Sequence, residues 1–192
     1  MKDSRRLVIA VTGTPGTGKT SFSRELSKRL SAHLFDLNQF VAYTGAYRLD
    51  REGIKVVDVK RMKSSFRKTV RELKGNVVVD GLLSHFLPSD LITHVVVLRT
   101  NPRVLERRLR KRGYKDKKLR DNLEAEALDI VLWEAVENHG ISKVYEIDTT
   151  KADVRKCVED FLLALSGKKD LRPGKISWLE EFFLSQKDNL GI

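Results

Sequence analysis

Residues 7–21 read LVIAVTGTPGTGKTS. The apolar run 7–11 has no polar alternation, which predicts a strand covered on both faces, as in a parallel sheet. A glycine-rich turn follows, and then a helical pattern. Gly13 to Thr20 fits the spacing G-x-x-x-x-G-K-[ST] between that strand and that helix. Glycines let the backbone curl so that successive N–H groups point inward at phosphate oxygens, and a helix N-terminus adds partial positive charge. The stretch therefore reads as a P-loop. Gly13, Thr14, Gly16, Thr17, Gly18, Lys19, Thr20 and Ser21 are its candidate ATP-binding residues. Lys19 would reach the β- and γ-phosphates, and the Thr20 hydroxyl would hold Mg²⁺.

A P-loop calls for a Mg²⁺-side acid at the end of a neighbouring buried strand. NVVVDG (76–81) supplies one in Asp80, and His85 follows five residues later as a candidate for orienting water or phosphate. Further extended runs occur at KVVDV (55–59), HVVVLRT (94–100) and KVYEIDTT (143–150). Helical stripes separate them: Met62, Phe66, Val70 and Leu73 within 60–73, and Leu119, Leu123, Ala127, Ile130 or Val131, and Trp133 within 119–138. Alternating strands and helices of this kind predict a three-layer α/β/α fold with a five-stranded parallel sheet of P-loop NTPase type.

The chain has 192 residues, 41% of them hydrophobic, which suits one compact domain with an ample core. Its net charge of +11 favours polyanionic partners, meaning nucleotides, RNA or anionic surfaces, although Lys/Glu-rich surfaces also arise in heat-adapted proteins. The single cysteine, Cys157, excludes an internal disulfide and falls on the apolar face of VRKCVEDFLLAL. The first apolar run is too short for a signal peptide and nothing approaches a membrane span, so a cytoplasmic protein without a membrane partner is expected.

From Arg99 to Arg120 there are eleven Lys/Arg and two Asp/Glu. Such a segment would close over a bound triphosphate, form a strip contacting RNA, or do both. Residues 121–137 carry six acids and no base, and read as an ion-pairing face for the basic helix before them. SGKKDLRPGK (166–175) reads as a linker, and ISWLEEFFLSQ (176–186) as a short amphipathic helix that either docks back or serves a partner.

The stretches GTPGTGKT, VVVD, VVVLRTNPRVLERRLRKRGY, DNLEAEALDIVLWEA and YEIDTT resemble the adenylate kinase isoenzyme 6 family, and the likeness covers most of residues 7–165. The resemblance implies a kinase domain over 1–166, with a monophosphate-receiving segment near 36–59 and a lid near 111–121, followed by a tail at 167–192. It implies that Arg112 is a lid arginine on the ATP phosphates and that the loop Thr149 to Ala152 walls the adenine side. It also implies adenylate kinase and ATPase activities using ATP, AMP and Mg²⁺. As partners it implies a small-subunit platform ribosomal protein and small-subunit rRNA during maturation of that subunit; separately, a monomer is expected. Two departures stand out. Eukaryotic members place a histidine two residues after the strand aspartate, where this chain has Leu82. FDLNQFVAYTG (35–45) lacks the arginine that usually grips AMP, leaving Arg48, Arg51 or Arg99 for that task. Between AMP, water and another small metabolite, the acceptor stays open.

Overall fold

A computed structural model describes residues 6–51, 53, 55–151 and 153–183. In chain order the elements are β1 (Val8–Thr12), α1 (Lys19–Leu30), β2 (His33–Asp36), α2 (Leu37–Thr44), β3 (Tyr47–Leu49), β4 (Lys55–Val57) and α3 (Val59–Glu72). They continue with β5 (Val77–Asp80), β6 (His94–Arg99), α4 (Pro102–Lys111), α5 (Asp116–Ala127), α6 (Ile130–His139), β7 (Val144–Asp148) and α7 (Val154–Leu165).

Five parallel strands form one sheet in the order β2-β5-β1-β6-β7. Side chains alternate across it, as strand geometry requires. Ala10, Val79, Val95 and Val97 pack with Met62 and Phe66 of α3 and Ala135 of α6. On the other face Ile9, Val11, Val78, Val96 and Leu98 pack with Phe22 and Leu26 of α1 and Phe161 of α7. The result is the expected α/β/α sandwich, with β1 at its centre.

One strand assignment changes. Of KVVDV, only Lys55–Val57 is extended, and it pairs antiparallel with Tyr47–Leu49 in a separate ribbon. The fifth place in the parallel sheet goes to His33–Asp36. That edge strand has a single neighbour and a half-exposed Leu34, so its sequence lacks the long apolar run of the inner strands. Asp58 ends the ribbon by accepting a hydrogen bond from Arg61 N at 3.0 Å, which caps α3.

The stripe expected across 119–138 is also broken. α5 ends at Ala127, and Asp129 (φ +58°) restarts the chain as α6. The break shifts the helical phase, so Val131 and Leu132 are buried while Trp133 stays 62% exposed. The tail does not hang free over the described residues. Leu171 O accepts from Glu146 N at 2.9 Å, and Phe182 is buried, so the segment to residue 183 lies on the domain. The remainder of the expected helix, residues 184–186, and Ala152 lie outside the described residues.

Candidate active site

The site forms where β1 ends at the carboxyl edge of the sheet, the usual place for a ligand in an open α/β sheet. Gly13 turns the chain there with φ +133°. α1 starts at Lys19, and its N-cap is Gly18, which has no side chain to satisfy the first N–H groups. Those donors are thus left facing outward for an anion.

Two cavities meet at this turn. The first, about 300 Å³, lies beside Thr17, Phe22, Arg108, Thr149, Val154 and Cys157. The second, about 340 Å³, lies beside Lys19, Thr20, Asn38, Leu82 and Tyr114. Gly16, Gly18, Ser21 and Arg112 belong to both walls. Both volumes fall at the small end of the range of ligand sites.

Lys19 Nζ donates to the carbonyls of Gly13 (2.7 Å) and Thr14 (3.0 Å). Burial lowers its pKa to about 8, opposed by the nearby Asp80 and Glu126 carboxylates. Asp80 ends β5 in register with Val11 of β1 and Asp36 of β2. Its pKa is raised by burial, while a hydrogen bond to the Thr20 side chain and the charge of Lys19 pull the other way. Lys19, Thr20 and Asp80 are therefore mutual neighbours, although 60 residues separate the last two in sequence. Thr149 is buried; its Oγ1 donates to Thr17 O, 2.8 Å away.

Other expected residues are placed differently. Thr14 is buried with its hydroxyl bonded to Glu126, away from both cavities. His85 sits in a 3₁₀ turn, Ser84–Phe86, and lines neither cavity. Its Nδ1 lies 2.8 Å from Thr12 Oγ1 and its Nε2 3.1 Å from Glu134 Oε2. Burial pushes its pKa down to about 4, so the ring is neutral near pH 7. His85 thus braces the chain behind Asp80 and reaches no open space. Cys157 is half-buried in the first cavity wall, with its thiol pKa raised by burial and neighbouring acids.

Arg99 cannot grip a monophosphate. It is 2% exposed, and its guanidinium donates to Glu126 Oε1 (2.9 Å), Glu146 Oε1 (2.7 Å) and Asp129. Glu126 correspondingly belongs to the core, not to the ion-pairing face expected of 121–137. Helical phase carried a signal for this, because Glu126 and Ala127 lie seven and eight residues after Leu119, on its buried face. Arg108 was also not singled out by sequence. It donates to the carbonyls of Thr149 (2.9 Å) and Thr150 (3.1 Å), at the base of the first cavity.

A phosphate cradle with a partly desolvated lysine, an adjacent strand acid and a shared arginine defines a P-loop phosphotransferase. Comparisons agree. Residues 9–129 match the AAA domain family. A protein of Methanocaldococcus jannaschii named "Putative adenylate kinase" is 38% identical over 177 residues, covering 91% of this chain and 94% of that one. The protein of the same name from Thermococcus kodakarensis is 38% identical, covering 92% and 95%. Among solved structures, shikimate kinase from Acinetobacter baumannii superposes with TM-score 0.63 at 20% identity, covering 86% of this chain and 96% of that one. Deoxyadenosine kinase from M. mycoides superposes with TM-score 0.55 at 19% identity, covering 85% and 100%; these two likenesses concern the fold. The chain belongs to the AAA domain family and to the protein family that the two archaeal relatives represent, and it is an enzyme of the phosphotransferase class.

Proposed function

We propose that the chain is an ATP-dependent nucleoside monophosphate kinase that converts ATP and AMP to two ADP, and that it hydrolyses ATP when water takes the acceptor's place. The observation that carries this reading is the pair of cavities sharing Gly16, Gly18, Ser21 and Arg112. A donor and an acceptor can occupy opposite sides of one seam. The adenine of ATP would lie in the first cavity against Phe22, Val154 and Cys157, with its phosphates over the N–H groups from Gly16 to Thr20. The acceptor would enter the second cavity past Asn38 and Tyr114.

At the seam an acceptor phosphate oxygen forms a bond to the γ-phosphorus as the bond to the β–γ bridging oxygen breaks. Lys19 and Arg112 offset the negative charge spread over the oxygens, which is the main requirement of phosphoryl transfer. The Thr20 hydroxyl and the Asp80 carboxylate, already bonded to one another, form an oxygen-only donor set that suits Mg²⁺. Bound there, Mg²⁺ would neutralise phosphate charge. Among the described residues no group of three or more His, Cys, Asp or Glu gathers into a metal cage, and Mg²⁺ in kinases uses one or two protein ligands plus phosphate.

A second role is proposed beside the first, a nucleotide-gated part in small ribosomal subunit maturation through a platform protein and small-subunit rRNA. It is supported by the family resemblance, the +11 charge and the exposed Lys60, Arg61, Lys68 and Arg71 on α3. RNA binding at physiological salt that differs between ATP and ADP states is expected, and equal binding would argue against it.

One assay tests the leading reading. The protein is incubated with Mg-ATP alone and then with each nucleoside monophosphate, and every nucleotide product is followed. ADP formation that depends on AMP and vanishes in a folded Lys19→Ala variant is expected. Normal turnover by that variant would overturn the reading, and phosphorylation of a different acceptor would redirect it.

A further inference from the structure

The C-terminal segment is tied to the P-loop by buried charges. β7 is the edge strand opposite β2, and Glu146 in it is 4% exposed. Glu146 Oε2 accepts from the N–H groups of Gly174 (2.9 Å) and Lys175 (3.1 Å), while its Oε1 accepts from Arg99 Nη1 at 2.7 Å. Arg99 Nε then donates to Glu126 Oε1 at 2.9 Å, and Glu126 Oε2 accepts from Thr14 Oγ1 inside the P-loop. Thr14 in turn offers its carbonyl to Lys19 Nζ (3.0 Å) and Thr17 Oγ1 (2.9 Å). The segment has a second attachment, from Glu181 to Asn101, the N-cap of the helix that carries Arg108 and leads into Arg112.

A guanidinium is a rigid planar fork, and in a low-dielectric interior its partners cannot drift off separately at small cost. One fork therefore fixes the distance between the carboxylate that holds the tail and the carboxylate that holds Thr14. Arg99, Glu126 and Glu146 line neither cavity, so they would act on a bound nucleotide only through the P-loop.

We propose that Glu146, Arg99 and Glu126 form a buried relay through which residues 171–183 set the shape of the P-loop and with it the affinity for nucleotide. The three are positioning residues, and the inference rests on the P-loop binding ATP. Coupling of this kind between separated sites commonly amounts to about 5- to 150-fold in affinity.

The full chain is used for the test. Glu146→Gln keeps the side-chain size but places an NH₂ against either the tail N–H groups or Arg99. Its KM for ATP is expected to rise about tenfold while kcat at saturating ATP stays within about twofold. A merely structural role would lower Tm and leave KM alone. Because linkage is reciprocal, ATP added to the unmodified chain is expected to slow hydrogen exchange at the Gly174 and Lys175 amides, which do not line the nucleotide cavities. Unchanged exchange at those amides would overturn the relay, as would a folded Glu146→Gln with an unaltered KM. If that variant does not fold, the exchange measurement decides alone. Failure of ATP to bind the unmodified chain would overturn the nucleotide reading and the relay together, whereas binding without coupling overturns only the relay.

Discussion

Alanine in place of Gly13 or Gly18 tests whether the P-loop is shaped by backbone strain alone or also by the strand beside it. Both glycines have positive φ, +133° and +96°. At Gly18 an added Cβ would meet nothing within 4 Å, leaving only a strain of about 1–2 kcal/mol. At Gly13 the Cβ would lie 2.4 Å from Leu98 O and 2.9 Å from Thr17 Oγ1. Neither atom can give way easily. Leu98 O belongs to β6 in the middle of the sheet, and Thr17 Oγ1 is held by Thr14 O at 2.9 Å. The strain at Gly13, about 1–3 kcal/mol, is therefore joined by about 1–3 kcal/mol of overpacking. For a chain of this length each kcal/mol moves Tm by about 2–4 °C. Gly18→Ala is expected to lose about 2–8 °C and Gly13→Ala about 4–24 °C, with the larger loss always at Gly13. Thermal unfolding followed by circular dichroism measures both side by side, and ATP titration calorimetry reports the accompanying loss of binding. Equal Tm losses would refute the reasoning, because they would mean that the loop moves away from β6 at no cost.

Other expectations follow from the same site. Burial lowers the Lys19 pKa to about 8, below its ordinary 10.5, so folding disfavours its charge. Stability is accordingly expected to rise from about pH 8 toward 10.5, where the unfolded chain still holds the proton that the folded chain has released. ATP phosphates favour the ammonium, so KM for ATP is expected to rise above pH 8 and binding there to take up a proton. A KM that stays flat from about pH 7 to 10 would count against Lys19 as the phosphate ligand. His85→Ala is expected to cost about 1–3 kcal/mol by removing a buried ring that bonds both Thr12 and Glu134. ATP turnover is expected to fall with it, through the chain behind Asp80; a stability loss with turnover unchanged would confine His85 to the fold. Arg99→Met removes the cation that the buried Glu126 and Glu146 share and is expected to cost about 3–5 kcal/mol, seen as a Tm drop of about 6–20 °C. A drop under about 2 °C would show that the buried charges are not held as ions.

What could be read from the sequence is what a short stretch of chain decides within itself. LVIAV, the glycines and Lys19-Thr20 specify a strand, a turn and a helix start within fifteen residues, and those local geometries bring a phosphate cradle with them. The stripe Met62, Phe66, Val70 needs only the helical period. The order of the strands is decided over longer distances. KVVDV is more apolar than HLFD, yet HLFD lies beside β5 because the short connection after α1 delivers it there, while KVVDV folds back on Tyr47–Leu49. The charges behave in the same way. Arg99 ends a buried strand 27 residues before Glu126 and 47 before Glu146, and no local pattern announces that these three meet. Sheet order brings β6 against β7, and the αL turn at Asp129 aims the end of α5 and the start of α6 at one guanidinium. His85 illustrates the limit best. Its place five residues after Asp80 suggests a reach toward phosphate, but the 3₁₀ turn at Ser84 directs the ring to Thr12 at the end of β1. The sequence by itself determined the cradle and the chemistry it can hold; the tertiary structure decided which distant groups support it, because a buried charge takes the partner that packing brings within about 3 Å, wherever in the chain it lies.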